Sequence, residues 1–351
     1  MQEILELADD DAAHMWRTLS LGYTETQGLP ELREQIAAGY AGAVAREDVV
    51  VSAPQEAILL AMHAVLRPGD TVVATSPGYQ SLTEVAENIG CCVRLWRPTG
   101  WGQGELRFDA SDLADLVDEH TKMVVVNFPH NPTGLTLEAD AWDEVVSVCR
   151  GANAYLFSDE MYRLLEFDES DRLPGAVEVY DKGMSLSGLS KTIGLPGVRI
   201  GWIACRDGDV IRRMLELKDF TTICSSAPSE VLALMALRAQ DTLLGRRRDL
   251  VRANKQRAEE FFAGLPESFA LQPPQAGPVA FPRLTTGQDV GAFCEEVVGA
   301  CGVLLLPATV YGDPDATRQG HFRIGLGRSN FGTGLEVLQD FLAARRDAPS
   351  I

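Results

Sequence analysis

Short apolar runs alternate with helical patterns along residues 48–240, and this alternation constrains the fold more than any other feature. The runs DVVVSA, DTVVATS, KMVVVNF and AYLFSD are rich in β-branched residues and lack strict polar alternation. Such runs are typical of strands that are buried on both faces. Segments such as QEAILLAMHAVL lie between them and repeat apolar residues at helical spacing. The pattern predicts a doubly wound α/β fold with a mainly parallel sheet covered by helices.

The pattern changes after residue 245. RRRDLVRANKQRAEEFFAGL predicts a long amphipathic helix, and PPQAGPVAFPRL and HFRIGLGRSN predict strands of a smaller α+β domain. Residues 1–20 are too apolar for a free tail, so we expect them to pack with this second domain. The predicted division is a large domain over residues 21–244 and a small domain formed by residues 1–20 and 245–351.

The charge balance excludes several classes of partner. The chain has 31 Lys and Arg against 50 Asp and Glu, which gives a net charge of −19. Such a surface repels phosphate backbones, so we expect no nucleic-acid partner. No apolar run is long enough to cross a bilayer, and the first residues are acidic rather than a basic signal region. We therefore expect no membrane contact and a cytoplasmic protein.

The cysteines and histidines do not predict a metal site. Seven cysteines occur without a C-x-x-C pair, and the five histidines show no ligand spacing. Most of the cysteines lie in apolar runs, so we expect reduced, buried thiols and no disulfide framework.

SGLSKTIGLPGVRIGW, residues 187–202, places Lys191 and Arg199 among small and apolar residues. A surface loop is the more common setting for a lysine. A lysine kept from full solvent is costly unless it is paired or does chemistry. Lys191 and Arg199 together, with Ser187 or Ser190 as hydroxyl donors, suit an aldehyde that carries a phosphate. The lysine would bind the aldehyde covalently while the arginine and serine bind the phosphate.

The predicted strand ends SAPQ, TSPGY, NFPHNPTG and SDEMY carry further candidates. Ligand-binding loops in such sheets follow the carboxyl ends of strands. Asp159 could pair with a pyridine nitrogen but also resembles a helix N-cap. Asn131 could bind a phenolate oxygen but lies in a strong turn sequence, and Tyr79 could stack on a ring or simply pack. Together these residues supply each group that pyridoxal 5′-phosphate requires.

With NPTG, SDEMY and SK followed by GVRIGW in this order, the chain resembles the class I/II aminotransferases, the aspartate-aminotransferase-like enzymes of fold type I. The resemblance extends from GYTETQGLPELREQIA to HFRIGLGRSNF. It implies a three-layer α/β/α large domain, a smaller C-terminal domain, pyridoxal 5′-phosphate as cofactor, and a homodimer with shared active sites.

The resemblance also implies a role for each matching residue. Lys191 is the Schiff-base lysine and general base, Asp159 pairs with the ring nitrogen, and Arg323 binds the substrate carboxylate. The remaining implied contacts are Asn131 and Tyr162 with the 3-oxygen, Tyr79 with the ring face, Ala53, Gln55, Ser190 and Arg199 with the phosphate, and Tyr23 with the phosphate of the neighbouring subunit; Asn131 also lies beside the substrate.

Two departures from the family pattern stand out. Pro54 lies where the family usually offers a backbone N–H to the phosphate, and proline has none. Only about twenty residues precede Tyr23, so we expect the family's N-terminal substrate loop to be largely missing. The substrate pocket is then either more open or closed by other segments.

The leading hypothesis is an enzyme that moves the amino group of an L-amino acid to a 2-oxo acid. KDFTTICSSAPSEVLALMALRA is similar to a subgroup of capreomycidine synthase-like enzymes, which implies an alternative: β-elimination and cyclisation of an arginine derivative. Two further alternatives are a cofactor-binding transcription regulator, which the acidic charge opposes, and a scaffold without cofactor, which the intact set of site residues opposes.

Overall fold

The chain alternates strands and helices up to residue 263 and then forms a second group of short strands and helices. The computed structural model describes residues 1–102 and 105–347. The strands are β1 (Val49–Ser52), β2 (Thr71–Thr75), β3 (Cys92–Trp96), β4 (Thr121–Asn127), β5 (Tyr155–Asp159), β6 (Gly183–Gly188), β7 (Gly201–Cys205), β8 (Phe269–Ala270), β9 (Val279–Ala280), β10 (Arg283–Leu284), β11 (Leu306–Pro307) and β12 (Phe322–Gly325). The helices are α1 (Gln2–Glu6), α2 (Asp10–Arg17), α3 (Pro30–Ala37), α4 (Pro54–Val65), α5 (Ser81–Ile89), α6 (Ala110–Leu116), α7 (Ala139–Gly151), α8 (Ala176–Val179), α9 (Gly208–Lys218), α10 (Ala227–Arg238), α11 (Gln240–Ala263), α12 (Val290–Cys301), α13 (Pro314–Arg318) and α14 (Phe331–Asp347).

Strands β1 to β7 form one sheet in the order β1-β7-β6-β5-β4-β2-β3. Neighbouring strands are parallel except β7, which runs antiparallel to both β1 and β6. Strands β1, β2, β5 and β7 are buried along their whole length. Both of their faces are covered, which explains the continuous apolar runs in the sequence. The predicted mainly parallel α/β sheet is confirmed.

Helices cover the sheet in two layers. On one face, α4, α5 and α9 pack against residues such as Phe157 and Ile203. On the other face, α3 and α10 pack beside Val49, while α6 and α7 pack beside Val124. Successive strand residues point to opposite faces, so each strand contributes to both cores. This arrangement is the three-layer α/β/α architecture that the resemblance implied.

Strand β6 is the strand that the apolar pattern did not predict. Its sequence GMSLSG has two glycines and two serines and therefore lacks a β-branched run. Ser185 is buried, and its hydroxyl is satisfied by a hydrogen bond that it donates to Glu160 Oε1 at 2.7 Å. Because β6 ends at Gly188, Lys191 lies three residues beyond the carboxyl end of a central strand.

The residues after 245 share a core of their own. Helices α11, α12 and α14 pack with apolar residues of the short strands, among them Phe269, Phe322 and Ile324. The strands form a β10-β8 pair and a three-stranded β11-β12-β9 sheet. Strand β12 matters for the site, because it carries Arg323.

The first two helices differ from the prediction. Helices α1 and α2 pack on α10, and Ile4 and Ala12 are buried in the same core as Val49 of the central sheet. Arg238 of α10 also pairs with Asp9 at 3.0 Å. Residues 1–20 thus pack mainly on the large sheet's helical layer, and Glu3 also pairs with Arg246 of α11.

The cysteines are free thiols, but not all of them are buried. Cys149, Cys205 and Cys294 are buried as expected, whereas Cys92 is exposed. Cys92 begins β3, which is the edge strand of the sheet and has a neighbour on one side only. The prediction of buried thiols is therefore wrong for Cys92.

Within the described residues, no helix combines the length and the apolar character needed to span a membrane.

The turn NPTG packs against residues that follow α11, and Gly134 makes this contact possible. Its φ is +73°, and a Cβ there would lie 2.5 Å from Pro274 Cβ. Gln275 N and Ala276 N donate to its carbonyl at 2.9 and 3.0 Å. The close approach of two backbones leaves no space for a side chain.

We therefore expect Gly134→Ala to lower the thermal unfolding midpoint more than Gly42→Ala. Gly42 has φ +81° with open space around it, so alanine there costs only the left-handed conformation, about 1–2 kcal/mol. At Gly134 the contact with Pro274 adds an overpacking cost of roughly 1–3 kcal/mol. Calorimetry of both variants measures the difference. Equal shifts would show that the Gly134 contact is not tight.

Candidate active site

A cavity of about 270 Å³ lies at the carboxyl ends of β4, β5 and β6. Parallel strands bring the residues that follow them to one edge of a sheet, which is where sites form in such folds. The cavity is lined by Pro54, Gln55, Ile58, Tyr79, Asn127, Asn131, Asp159, Met161, Tyr162, Leu186, Ser190, Lys191, Pro196, Arg199 and Arg323. The sequence-predicted residues are therefore brought together, with the exceptions of Ala53 and Tyr23.

Asp159 is the last residue of β5 and is buried, with 5% of its surface exposed. Its Oδ1 accepts a hydrogen bond from Met161 N at 3.1 Å, and its backbone oxygen accepts from Asn127 Nδ2 at 2.8 Å. Burial raises the pKa of this carboxyl to about 7, and nearby Glu160 adds to the rise while Lys191 opposes it. Asp159 is not a helix N-cap, because no helix follows it. Its carboxyl instead faces the cavity, placed to pair with a cation.

Lys191 lies on the loop after β6 and lines the same cavity as Asp159. Its side chain is exposed, which differs from the prediction that it is kept from solvent. Even so, partial desolvation and then the charge of Arg323 lower the pKa of Lys191, with Arg199 acting in the same direction and Asp159 opposing. A lysine with a lowered pKa is more readily the neutral amine that attacks carbonyl carbons.

Ser190 and Arg199 form a donor group at one end of the cavity. Ser190 is 8% exposed, and its Oγ is buried without a hydrogen-bond partner among the described residues. Arg199 follows the short 3₁₀ turn Pro196–Val198 and donates from Nη1 to Pro196 O at 3.0 Å. An unpaired buried hydroxyl beside an exposed guanidinium fits an anionic group such as a phosphate.

Helix α4 begins at this same end of the cavity. Ala53 is its N-cap residue and does not itself line the cavity, whereas Pro54 and Gln55 do. The free N–H groups of a first helical turn favour anions. Pro54 lacks one of them, so the amides of the following residues remain for a phosphate. Ser190 lines this cavity, whereas Ser187 lines a separate one together with residues such as Tyr40 and Trp202.

Tyr79 and Gln55 connect the loop after β2 to helix α4. The Tyr79 hydroxyl donates to Gln55 Oε1 at 2.7 Å, and the Gln55 amide donates to the Ser81 hydroxyl. Tyr79 remains 41% exposed at the cavity wall. This bond holds an aromatic side chain in place beside the cavity, where it can contact a flat ring.

Arg323 brings the small domain into the site. Its Nη1 donates to Asn131 Oδ1 at 2.9 Å, and Asn131 N donates to Asn127 Oδ1 at 2.9 Å. Tyr162 is buried against Gly277, and burial raises the pKa of its hydroxyl. Asn131, Tyr162 and Arg323 therefore form one polar wall, built from two strand ends of the large sheet and from β12.

Asn127 lines the cavity although it was not predicted, and Tyr23 was predicted but does not line it. Asn127 was not predicted, yet it bonds to both Asp159 and the Asn131 segment; its position as the last residue of a predicted strand was the available signal. Tyr23 does not line the cavity and is 89% exposed. Its predicted role in a neighbouring subunit stays a prediction.

Ser190 offers a direct test of the anion-binding end. We expect Ser190→Ala to weaken pyridoxal 5′-phosphate binding by about tenfold or more, because a hydrogen bond to a charged group is lost. Ser187→Ala is the matched control, since Ser187 lines a different cavity, and its affinity should be unchanged. Absorbance titration of the cofactor-free protein measures both. Equal losses in the two variants would contradict the assignment.

Comparison with known proteins places this geometry in a family. The model of the family described as aminotransferase class I and II matches residues 4–330. Capreomycidine synthase of Streptomyces vinaceus is 32% identical over 267 residues, which cover 76% of this chain and 67% of that protein. Arginine–pyruvate transaminase of Pseudomonas aeruginosa is 29% identical over 316 residues, covering 87% of this chain and 77% of that protein.

A solved structure agrees in fold. A PLP-dependent aminotransferase from Streptococcus suis superposes with a TM-score of 0.88 at 29% identity, over 100% of this chain and 91% of that one. The chain belongs to the class I and II aminotransferases, which are enzymes that depend on pyridoxal 5′-phosphate.

Proposed function

We propose that this enzyme transfers the amino group of an L-amino acid to a 2-oxo acid. The observation that carries the proposal is that Lys191, Asp159 and Arg323 line one cavity. The donor set fits the cofactor: an unpaired buried Ser190 hydroxyl and Arg199 suit its phosphate, and the buried Asp159 suits its ring nitrogen. Tyr79 supports the ring face, and Asn131 and Tyr162 suit its phenolic oxygen.

When bound, pyridoxal 5′-phosphate supplies an aldehyde for the amino group and an electron-poor ring that accepts the electrons of the broken C–H bond. Asp159 keeps the ring nitrogen protonated, because an ionised carboxylate in a buried site favours a cation beside it. The Asn127 side chain holds Asp159 in position by donating a hydrogen bond from Nδ2 to the Asp159 backbone oxygen at 2.8 Å.

Lys191 has two tasks in this proposal. Its amine would hold the cofactor's aldehyde group, and the free amine would take the proton from the substrate's α-carbon. Both tasks require the neutral amine. The lowered pKa of Lys191, caused by partial desolvation and the charge of Arg323, supports them.

Arg323 is placed to bind the α-carboxylate of the substrate. Its guanidinium is partly exposed to the cavity and donates to Asn131 Oδ1 at 2.9 Å, which fixes its direction. A planar guanidinium binds a carboxylate through two parallel hydrogen bonds. The substrate would therefore lie with its α-carbon between Arg323 and Lys191.

We further propose that the enzyme is a homodimer in which Tyr23 reaches the neighbouring site. Tyr23 is 89% exposed and lies near other exposed apolar side chains, including Leu21 at 83%. Exposed apolar groups of this size are common where two chains meet.

The second candidate is a cyclisation on the same cofactor. Its support is the capreomycidine synthase of Streptomyces vinaceus, at 32% identity. The named substrate of the Pseudomonas aeruginosa relative, arginine, supports testing arginine and its hydroxylated forms for either outcome.

The decisive experiment incubates the holoenzyme with individual L-amino acids, arginine and hydroxyarginines included. Transamination predicts a 2-oxo acid by mass spectrometry and an aminated cofactor by absorbance. A cyclised or dehydrated product without an aminated cofactor would contradict transamination and favour the second candidate. Lys191→Ala should abolish either reaction, whereas Lys182→Ala should keep it, because Lys182 is a partly exposed lysine at the opposite end of β6. Normal multiple turnover by Lys191→Ala would refute both candidates.

A further inference from the structure

Lys218, the last residue of α9, is a fully buried lysine outside the site described above. Its Nζ donates to two backbone oxygens, Thr26 O and Val51 O, each at 2.6 Å. A lysine is almost never fully buried unless its charge is compensated. This burial lowers its pKa, and the charges of Glu56 and Glu230 oppose the decrease. Burying the Lys218 ammonium group costs free energy, so we looked for the role that its two hydrogen bonds serve.

The two oxygens belong to segments that approach the proposed phosphate site from different directions. Val51 lies in β1, two residues before Ala53 and the start of α4. Thr26 lies in the segment of residues 21–29 that carries Tyr23. Lys218 is therefore a bridge between the strand that leads to the subunit's own phosphate site and the segment proposed to serve the neighbouring one.

The same two segments are joined by further hydrogen bonds around Lys218. Val51 N donates to Gln27 O at 2.9 Å, so residues 24–28 run along the free edge of β1. Glu230 is also fully buried, and its Oε1 accepts from Leu29 N at 3.3 Å. The Gly28 backbone lies so close that a Cβ there would be 2.6 Å from the Val51 side chain. The segment is thus held tightly against β1.

The first turn of α4 is tied to the residues that follow Lys218. Glu56 Oε1 accepts hydrogen bonds from the hydroxyls of Thr221 and Thr222, the latter at 2.8 Å. The end of α9 therefore contacts β1, the first turn of α4 and the Tyr23 segment at once.

We propose that Lys218 is a positioning residue for phosphate binding: it fixes the Tyr23 segment and the β1–α4 junction relative to each other. The inference rests on the proposed cofactor site and on Tyr23 as a phosphate ligand of the neighbouring subunit. Lys218 touches neither cofactor nor substrate. Its effect is specific to the phosphate end, because Asp159 lies on β5 and Lys191 lies on the loop after β6.

The test compares two cofactor forms that differ only in the phosphate. In Lys218→Met a side chain of similar length fills the slot, but Thr26 O and Val51 O lose their donor. We expect the Kd of the cofactor-free dimer for pyridoxal 5′-phosphate to rise about tenfold or more, since small misplacements of binding groups are costly. The Kd for pyridoxal, which lacks the phosphate, should change by less than about twofold.

A second variant and a control keep the test decisive. Lys218→Gln keeps a polar donor, but its side chain is one bond shorter than lysine. If Lys218→Met does not fold, we expect the ratio of the two Kd values to rise in Lys218→Gln instead. Lys182→Met is the matched control, because Lys182 also donates to a backbone oxygen, Asn153 O at 3.0 Å, but on the surface.

The possible outcomes are separable. In a folded Lys218 variant, the ratio of the Kd for pyridoxal 5′-phosphate to the Kd for pyridoxal could stay unchanged, either because neither Kd changes or because both rise equally. That result would overturn the positioning role and indicate a purely structural one. If the unmodified protein binds neither ligand, the proposed cofactor site itself is wrong. Hydrogen exchange of residues 21–29 gives a second readout: exchange should speed up in the Lys218 variants and not in Lys182→Met, and unchanged exchange would contradict the proposal.

Discussion

The buried carboxyl of Asp159 is the feature on which the site depends. Among the described residues that line the cavity, Asp159 is the one acidic residue, and Lys191, Arg199 and Arg323 are the basic ones. Burial raises its pKa to about 7, so its charge needs a cationic partner. The sheet fixes where that partner must lie, because β5 is central and its neighbours β4 and β6 place Asn127 and Lys191 at the same edge.

The second domain completes a site that the large sheet begins. Arg323 reaches the cavity from β12 and bonds to Asn131, while the NPTG turn of Asn131 packs through Gly134 against residues 274–276. The same turn therefore places the Asn131 amide at the cavity and joins the two parts of the chain. A change at this contact would affect both stability and the direction of Arg323, because Asn131 and Gly134 belong to the same short turn.

The sequence predicts the strands whose apolar runs are long, and with them most of the site, since Asp159 and Asn131 follow such strands. It does not predict β6, because GMSLSG lacks a β-branched run, and so residue patterns alone leave Ser187 and Ser190 open, which line different cavities. Long-range packing also decides features that no local pattern contains: α1 and α2 pack on α10, and Lys218 bridges Thr26 and Val51. Family resemblance supplies the roles of Arg323 and Tyr23, which residue patterns alone leave open.

Covalent attachment at residue 191 is the most direct test of the proposed chemistry. The holoenzyme would be reduced with sodium borohydride, digested and mapped by mass spectrometry. We expect one pyridoxyl group per chain on the peptide that contains Lys191, and none on the peptides that contain Lys182 or Lys218. Absence of the group from Lys191 in protein saturated with pyridoxal 5′-phosphate would contradict the central assignment.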